Sequence, residues 1–297
     1  MTIKDLISAW WADYRPTIAI TTAHHREMTI RTHIIPEIGH IDAKRLRQTD
    51  ISYLSNKTPH TQLATYKILN SLLRWAAEHK YVKHNIMDDV PRPKYKPGEI
   101  DVYKLDDLEV LLTYLEGRWL WLPVYIASRT GLRRGEVCGL QWGDIDLDRG
   151  FLTVRRTISA VSSHDVYVRP PKTKQSRRRV DLDPELIAVL CHRKKGAKSI
   201  WVCEAPKRAD GMPNPWNITQ QLHDACIAAG IPHHTFHALR HTHATLLMAE
   251  NVHPKVVSER LGHSNTQITE DIYSHTLPTL QSSAVAATSK IFSYHPG

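Results

Sequence analysis

Six side chains in this sequence have the types and spacing to act together on a phosphodiester. Arg133 stands in Thr130-Gly131-Leu132-Arg133-Arg134-Gly135-Glu136, and His237 and Arg240 stand in Thr235-Phe236-His237-Ala238-Leu239-Arg240-His241. His263 closes Leu261-Gly262-His263, and Tyr273 follows ten residues later. Between the two arginines, Pro171-Lys172-Thr173-Lys174 offers a lysine in a hairpin candidate. A phosphodiester is anionic, and the transition state of its displacement gathers more charge on the equatorial oxygens. Guanidinium answers that charge best, because it is permanently charged and binds two oxygens in a planar fork. Each preorganised donor of this kind gives about 10²–10³-fold in rate. His237 and Arg240, three residues apart, share one helix face and so can meet one phosphate. His263 adds a donor that works near neutral pH. A lysine suits the general acid that protonates a departing 5′-oxygen. Tyr273 has the phenolic oxygen to form a covalent intermediate. Glu136, one turn after Arg133, is placed to hold that arginine or a nearby histidine. A covalent link keeps the bond energy, so religation needs neither ATP nor a metal. No P-loop and no carboxylate cluster suited to magnesium occurs in the sequence, and no cofactor is expected.

Any one of these motifs is weak by itself, since His-x-x-Arg recurs by chance on many helices. Their joint order and spacing carry the signal. Tyr294 is a rival nucleophile, but it lies near the chain end in a segment prone to fray. His237 and His241 have an i, i+4 metal-like spacing, yet no glutamate lies between them and no third ligand is evident, so no metal site is expected. Trp10, Trp11, Trp75, Trp119, Trp121 and Trp142 read as packing residues rather than base-stacking platforms.

The elements that position the six must come from 297 residues, 41% of them hydrophobic, enough for a sizeable core and roughly two domains. The net charge of +9 points to a polyanionic partner, the more so because Arg169, Lys172, Lys174, Arg177, Arg178 and Arg179 cluster without an acidic residue among them. The four cysteines are widely spaced and fit a reducing, cytoplasmic compartment, with no signal peptide and no membrane span. Thr2-x-x-Asp5 opens a first helix with Ile3, Leu6, Ile7, Trp10 and Tyr14 on one face. A second helix is predicted over 21–35, ending at Pro36, a short one from Thr49 to Leu54, and a strong one over 61–79 with Leu63, Tyr66, Leu69, Leu73 and Ala76 in a stripe. Pro91, Pro93 and Pro97 with Lys94 and Lys96 mark a stiff basic linker that suits a phosphate backbone. Beyond it come an amphipathic helix through Leu105–Leu115 and a core helix over 119–128. A third is predicted over 133–140, ending at Gly143. Segments 151–158, 166–168 and 179–182 are predicted to form one small antiparallel sheet. Helices follow at 184–193, 217–229, 235–250, 254–261 and 265–275, with a short strand at 200–203.

Thr-Gly-Leu-Arg-Arg-Gly-Glu, a lysine hairpin, His-Ala-Leu-Arg-His, Leu-Gly-His and a downstream Tyr, in this order, resemble the signature of tyrosine recombinases of the phage-integrase family. The resemblance is close over 101–275 and looser before it. It implies a mainly α chain with a small antiparallel β-sheet: a helical core-binding domain at 1–90, the linker at 91–100, a mixed α+β catalytic domain at 101–275 and a tail at 276–297 that contacts a neighbouring protomer. It implies Arg133, Lys172, His237, Arg240, His263 and Tyr273 as the catalytic set, with Glu136 supporting. Lys174 is the alternative lysine: Lys172 fits the family spacing with one residue extra before Val180 and Lys174 with one short, and Lys172 is preferred. Arg169, Arg177, Arg178, Lys94 and Lys96 are the expected DNA contacts.

The expected activity is site-specific recombination of double-stranded DNA attachment sites through a 3′-phosphotyrosyl link and a Holliday junction. The expected assembly is a homotetramer on DNA and a monomer or dimer when free, with an accessory directionality factor and no membrane partner. A phage or mobile-element integrase in the cytoplasm of a bacterial host is favoured, with short attachment sites, since no extra arm-binding domain precedes the first helix. A chromosome-dimer resolvase, a relaxing enzyme of the type IB topoisomerase kind and a non-catalytic DNA-binding protein of the same fold are the alternatives.

Overall fold

The computed structural model describes residues 1–94, 101–171, 176–206 and 208–262, and the chain divides into two compact units, Met1–Gly98 and Glu99–Gly297. The first unit is helical. Helix α1 (Ile3–Tyr14) begins at a reciprocal cap: the Thr2 hydroxyl accepts from the Asp5 amide at 3.2 Å and the Asp5 carboxylate accepts from the Thr2 amide at 3.0 Å. Its Ile3, Leu6, Ile7 and Trp10 are buried, and Tyr14 stacks on Trp10 with centroids 4.7 Å apart. Helix α2 (Ile20–Thr29) does not end at Pro36 as expected. It widens into a π turn (Ile30–Ile34) and resumes as α3 (Ile35–Ile38) with Pro36 in its first turn. The Ile35 amide bonds the Ile30 carbonyl, an i→i−5 step that takes the proline ring out of collision with an i−4 carbonyl.

Helix α4 (Gln48–Lys57) is longer than the predicted one, and the Asp50 carboxylate, not Thr49, caps its start by accepting from the Arg47 amide at 2.9 Å. Helix α5 (Gln62–Glu78) buries Thr65, Ile68, Leu69, Leu72, Leu73 and Ala76. Leu63 and Tyr66 of the expected stripe are only half-buried, so the core-facing stripe lies one row around the helix.

In the second unit α6 (Leu105–Leu115) packs Leu108, Leu111 and Leu115 into the main core. Helix α7 (Trp121–Thr130) tolerates Pro123 because it sits in the first turn, where amides lack helical partners anyway. Gly131 ends α7 in the left-handed region at φ 66°. Helix α8 (Arg134–Cys138) is one short stretch stopped at Gly139, and residues 142–144 form a separate 3₁₀ turn rather than its continuation.

The strands correct the sequence reading. Among the described residues there are two small sheets, not one. β1 (Ile145–Asp146), β2 (Phe151–Thr153) and β5 (Arg179–Asp181) form an antiparallel sheet in the order β1-β2-β5. β3 (Thr157–Ala160) and β4 (Val166–Arg169) form a hairpin of their own. The run 151–158 therefore splits. At the break Arg155 and Arg156 both turn to the buried Asp144 carboxylate, Arg155 at 3.7 Å, and Arg156 also donates to the Gly139 carbonyl at 3.2 Å. The expected strand at 200–203 is an isolated bridge between Trp201 and Gln141.

Helix α9 (Pro184–Lys195) starts with Pro184 after Asp183, whose carboxylate caps the Leu186 amide at 3.0 Å. Helices α10 (Pro215–Ala228), α11 (Phe236–Ala249) and α12 (Pro254–Leu261) complete the described unit. Under α11 and α12 lies a small separate apolar cluster of Ala244, Met248, Val257 and Leu261. Among the described residues no helix is long and apolar enough to cross a membrane. The helix predicted at 265–275 and the tail lie outside the described residues.

Candidate active site

The turn from α7 to α8 and the middle of α11 bring Arg133, Glu136, His237 and Arg240 together. Gly131 makes this possible. A Cβ on it would fall 2.4 Å from Leu261 Cδ2 and 2.8 Å from His243 Cδ2, so the absence of a side chain lets α12 and α11 close on the end of α7. The Gly131 carbonyl then accepts from Arg240 Nη1 at 2.8 Å.

Glu136 is the centre of a buried charge network. Its side chain is 4% exposed and both carboxylate oxygens are used. One accepts from Arg133 Nη1 at 2.9 Å and Arg178 Nη1 at 3.1 Å. The other accepts from the Arg133 amide at 2.9 Å and Arg178 Nη2 at 3.0 Å. Burial alone would raise its pKa, but the hydrogen bonds and charge of Arg178, with the charge of Arg133, hold it below the ordinary value of 4.5. Arg133 completes its own coordination by donating from Nη2 to the Gly262 carbonyl at 3.0 Å. Gly262 is the left-handed cap of α12 and the residue directly before His263.

Arg240 is 1% exposed. Its Nη2 is buried and has no hydrogen-bond partner among the described residues, while Nη1 is taken by Gly131. Burial first, and then the charge of Arg133, push its pKa down to about 9, with Glu136 opposing them, so it remains a cation at neutral pH. His237 stands at the surface, yet the protein around it removes hydration, and with the charges of His241, Arg240 and Arg133 this pushes its pKa down to about 4. It is a neutral imidazole at pH 7, able to give one N–H. The His241 ring meets it edge-on, centroids 4.6 Å apart and planes at 86°. Two nitrogen ligands on one helix face are all this pair offers a metal, and among the described residues no group of three or more His, Cys, Asp or Glu side chains could hold one.

The structure relocates one expected DNA contact. Arg178 is buried, bound to Glu136 and, through Nε, to the Arg260 carbonyl at 2.6 Å, so it faces the interior rather than a nucleic acid. The reason is strand parity: Ser176, Arg178 and Val180 point inward while Arg177, Arg179 and Asp181 point out. Arg177 is exposed, as is Lys94, and Arg169 is half-buried with its guanidinium 5.8 Å from the Tyr167 ring. Lys172, Lys174, Lys96, His263 and Tyr273 lie outside the described residues. The strands flanking the lysine stretch, β4 and β5, pair with β3 and β2 rather than with each other, contrary to the single hairpin expected there.

Two participants carried no signal in the motifs. His243 Nδ1 donates to the Ser128 carbonyl at 3.0 Å, and its Nε2 accepts from Arg260 Nε at 3.1 Å. A carbonyl only accepts and a guanidinium only donates, so the ring is the neutral tautomer with its proton on Nδ1. Burial, and then the charge of Arg260, push its pKa down to about 4, in keeping with that state.

Residues 104–279 match the phage integrase family, and residues 2–67 match the phage integrase N-terminal SAM-like domain. The chain belongs to the phage integrase family. Among similar proteins are a tyrosine recombinase XerC-like protein of Caldanaerobacter subterraneus subsp. tengcongensis, 31% identical over 268 residues that span 81% of this chain and 68% of that one, and the ICEBs1 integrase of Bacillus subtilis, 25% identical over 94% and 74%. The fold of this integrase-family chain is that of the Tn1549 transposon integrase solved with a circular intermediate DNA, at TM-score 0.76 and 20% identity over 98% of this chain and all of that one. It is also that of lambda integrase, solved as a tetramer bound to a Holliday junction, at 0.71 and 17% over 92% and 77%.

Proposed function

We propose that this family member is a site-specific DNA recombinase of the integrase kind. One observation supports the reading: two guanidiniums converge where α7, α8 and α11 meet, and the buried Nη2 of Arg240 has no partner among the described residues. A buried unsatisfied donor costs about 1–3 kcal/mol, more when charged, and a phosphate oxygen is the group that would satisfy it.

In the proposed reaction the Tyr273 oxygen attacks the scissile phosphorus, its proton passes to solvent water, and the bond from phosphorus to the 5′-oxygen breaks. Lys172, or Lys174 in its place, gives the departing oxygen its proton. Arg133 and Arg240 bind the non-bridging oxygens, with His237 and His263 as further donors. Glu136 keeps Arg133 aimed by occupying its Nη1 and leaving the rest of the fork to Gly262 and the substrate. The product is a 3′-phosphotyrosyl link and a free 5′-hydroxyl, which attacks the corresponding link on a partner strand. A first pair of such exchanges makes a Holliday junction and a second pair resolves it. No energy-supplying cofactor enters, since the link stores the bond. Four protomers on paired duplex sites, an accessory factor that sets direction, and action on DNA in a bacterial cytoplasm complete the proposal. The relatives solved on DNA, one of them as a tetramer on a junction, support it.

The test is covalent capture. Nicked duplexes with randomised cores are incubated with the chain without added metal and resolved under denaturing conditions. A protein–DNA band with wild type, absent with Tyr273→Phe, is the expected result. No band from duplexes the protein binds would leave a DNA-binding protein without strand cleavage. The 31% identity to a XerC-like protein favours chromosome-dimer resolution as a second reading. The captured core separates the two: a resolvase recombines two like copies on one plasmid, an integrase requires two unlike sites.

A further inference from the structure

We propose that Arg260 is a positioning residue for the phosphate-binding groups, fixing the turn from which Arg133 takes its aim. The proposal rests on the recombinase reading above.

Arg260 lies in the last turn of α12, two residues before Gly262. All three of its guanidinium nitrogens are spent inside the protein. Nε donates to His243 Nε2 on α11 at 3.1 Å, Nη1 to the Asp181 carbonyl of β5 at 3.0 Å, and Nη2 to the Arg129 carbonyl of α7 at 3.2 Å. Its own carbonyl accepts from Arg178 Nε, and Arg178 in turn holds Glu136. The turn Arg260–Leu261–Gly262 is thus pinned by three elements, with Leu261 fully buried beneath it. That turn ends in the Gly262 carbonyl that orients Arg133 Nη2. With one hydrogen bond from each guanidinium nitrogen to a different element, Arg260 is built into the scaffold. Its position makes it the staple between the scaffold and the acceptor of Arg133. Only a planar fork with three divergent donors can reach a ring nitrogen and two carbonyls on separate elements, so a lysine cannot replace it.

The experiment uses the core duplex recovered by covalent capture, in two forms: the ordinary phosphodiester and a methylphosphonate at the scissile position, which lacks the negative charge that the arginines neutralise. Arg260→Lys is expected to bind the duplex within about twofold of wild type. Its covalent product should form on the order of 10²-fold more slowly on the phosphodiester, the loss that a misplacement of about 1 Å causes. The deficit should shrink on the methylphosphonate, because less is asked of Arg133. Cleavage at the wild-type rate overturns the proposal, and so does an equal loss on both substrates, which is what simple unfolding gives. Should Arg260→Lys fail to fold, His243→Phe, which removes the acceptor of Nε together with the Nδ1 donor to the Ser128 carbonyl, is read by the same criteria. Wild-type protein that forms no covalent product overturns the recombinase reading and this one with it.

Discussion

At the scale of single residues, the charge network around Glu136 decides how the predicted site is held. Glu136 bridges Arg133 and Arg178, and its charge also reaches Arg240, so one buried carboxylate offsets several cations. Glu136→Gln keeps the shape and removes the charge. Breaking a buried pair from one side costs about 3–5 kcal/mol, so chemical denaturation at pH 7 should show a loss of that order. Because the folded pKa is depressed, the contribution of Glu136 is fully present above the ordinary value of 4.5 and is lost as pH falls through the folded value. The gap between wild type and Glu136→Gln should therefore close as the pH drops below about 4.5. A gap that stays constant with pH would mean that the carboxylate charge is not what stabilises the fold. Glu136 was legible in the sequence as a partner for Arg133, one turn away. Arg178 was misread because a basic run looks like a solvated face, although its even spacing from Val180 placed it inward.

At the scale of elements, helices and the places of β4 and β5 were legible, but the pairing of the strands was not. Apolar residues at helical spacing located α1, α5 and α6 within a few residues, since each turns an apolar face to a core. Strands depend on partners far away in sequence, and β-branched residues report propensity without saying which strand will pair. The run 151–158 therefore read as one strand, although its halves join different sheets. The junction of α7, α11 and α12 was half legible: Thr-Gly-Leu-Arg announced a turn, but not that two helices would press on its glycine. Gly131→Ala tests that junction. It puts a Cβ at φ 66° and within 2.4 Å of Leu261. The left-handed conformation costs about 1 kcal/mol for a residue with a side chain, and overpacking about 1–3 kcal/mol more. Thermal unfolding should register a sum of this order, and relief should come from Leu261→Ala in the same chain, which removes the closest clashing atom. A double variant no more stable than Gly131→Ala alone would place the cost in backbone strain rather than in packing.

At the scale of the whole molecule, the count of 39 lysines and arginines overstates the cations available to a polyanion. Arg178 serves Glu136, Arg156 serves Asp144, Arg129 serves Asp183, and Arg260 serves three elements at once. The exposed cations are a smaller set, and neighbouring arginines in one basic run fall on opposite sides of that division. Salt dependence of DNA binding separates them. Each phosphate contact releases condensed counterions, so losing one contact lowers the slope of log K against log salt by about 1. Arg177 points outward with no protein partner among the described residues, whereas Arg178 is buried on Glu136. Arg177→Ala should weaken binding to duplexes of any sequence, flatten the salt slope by about one unit, and leave unfolding unchanged. Arg178→Ala should do the reverse, lowering stability by a few kcal/mol (about 3–5) as Glu136 loses its partner, while the variant that remains folded keeps its slope. Fluorescence anisotropy over a salt series, paired with denaturation of the same samples, reads both quantities. Equal slopes for Arg177→Ala and wild type would remove Arg177 from the DNA-binding surface. A flattened slope for folded Arg178→Ala would mean that this guanidinium leaves its carboxylate to meet the phosphate, and that the basic run acts as a unit.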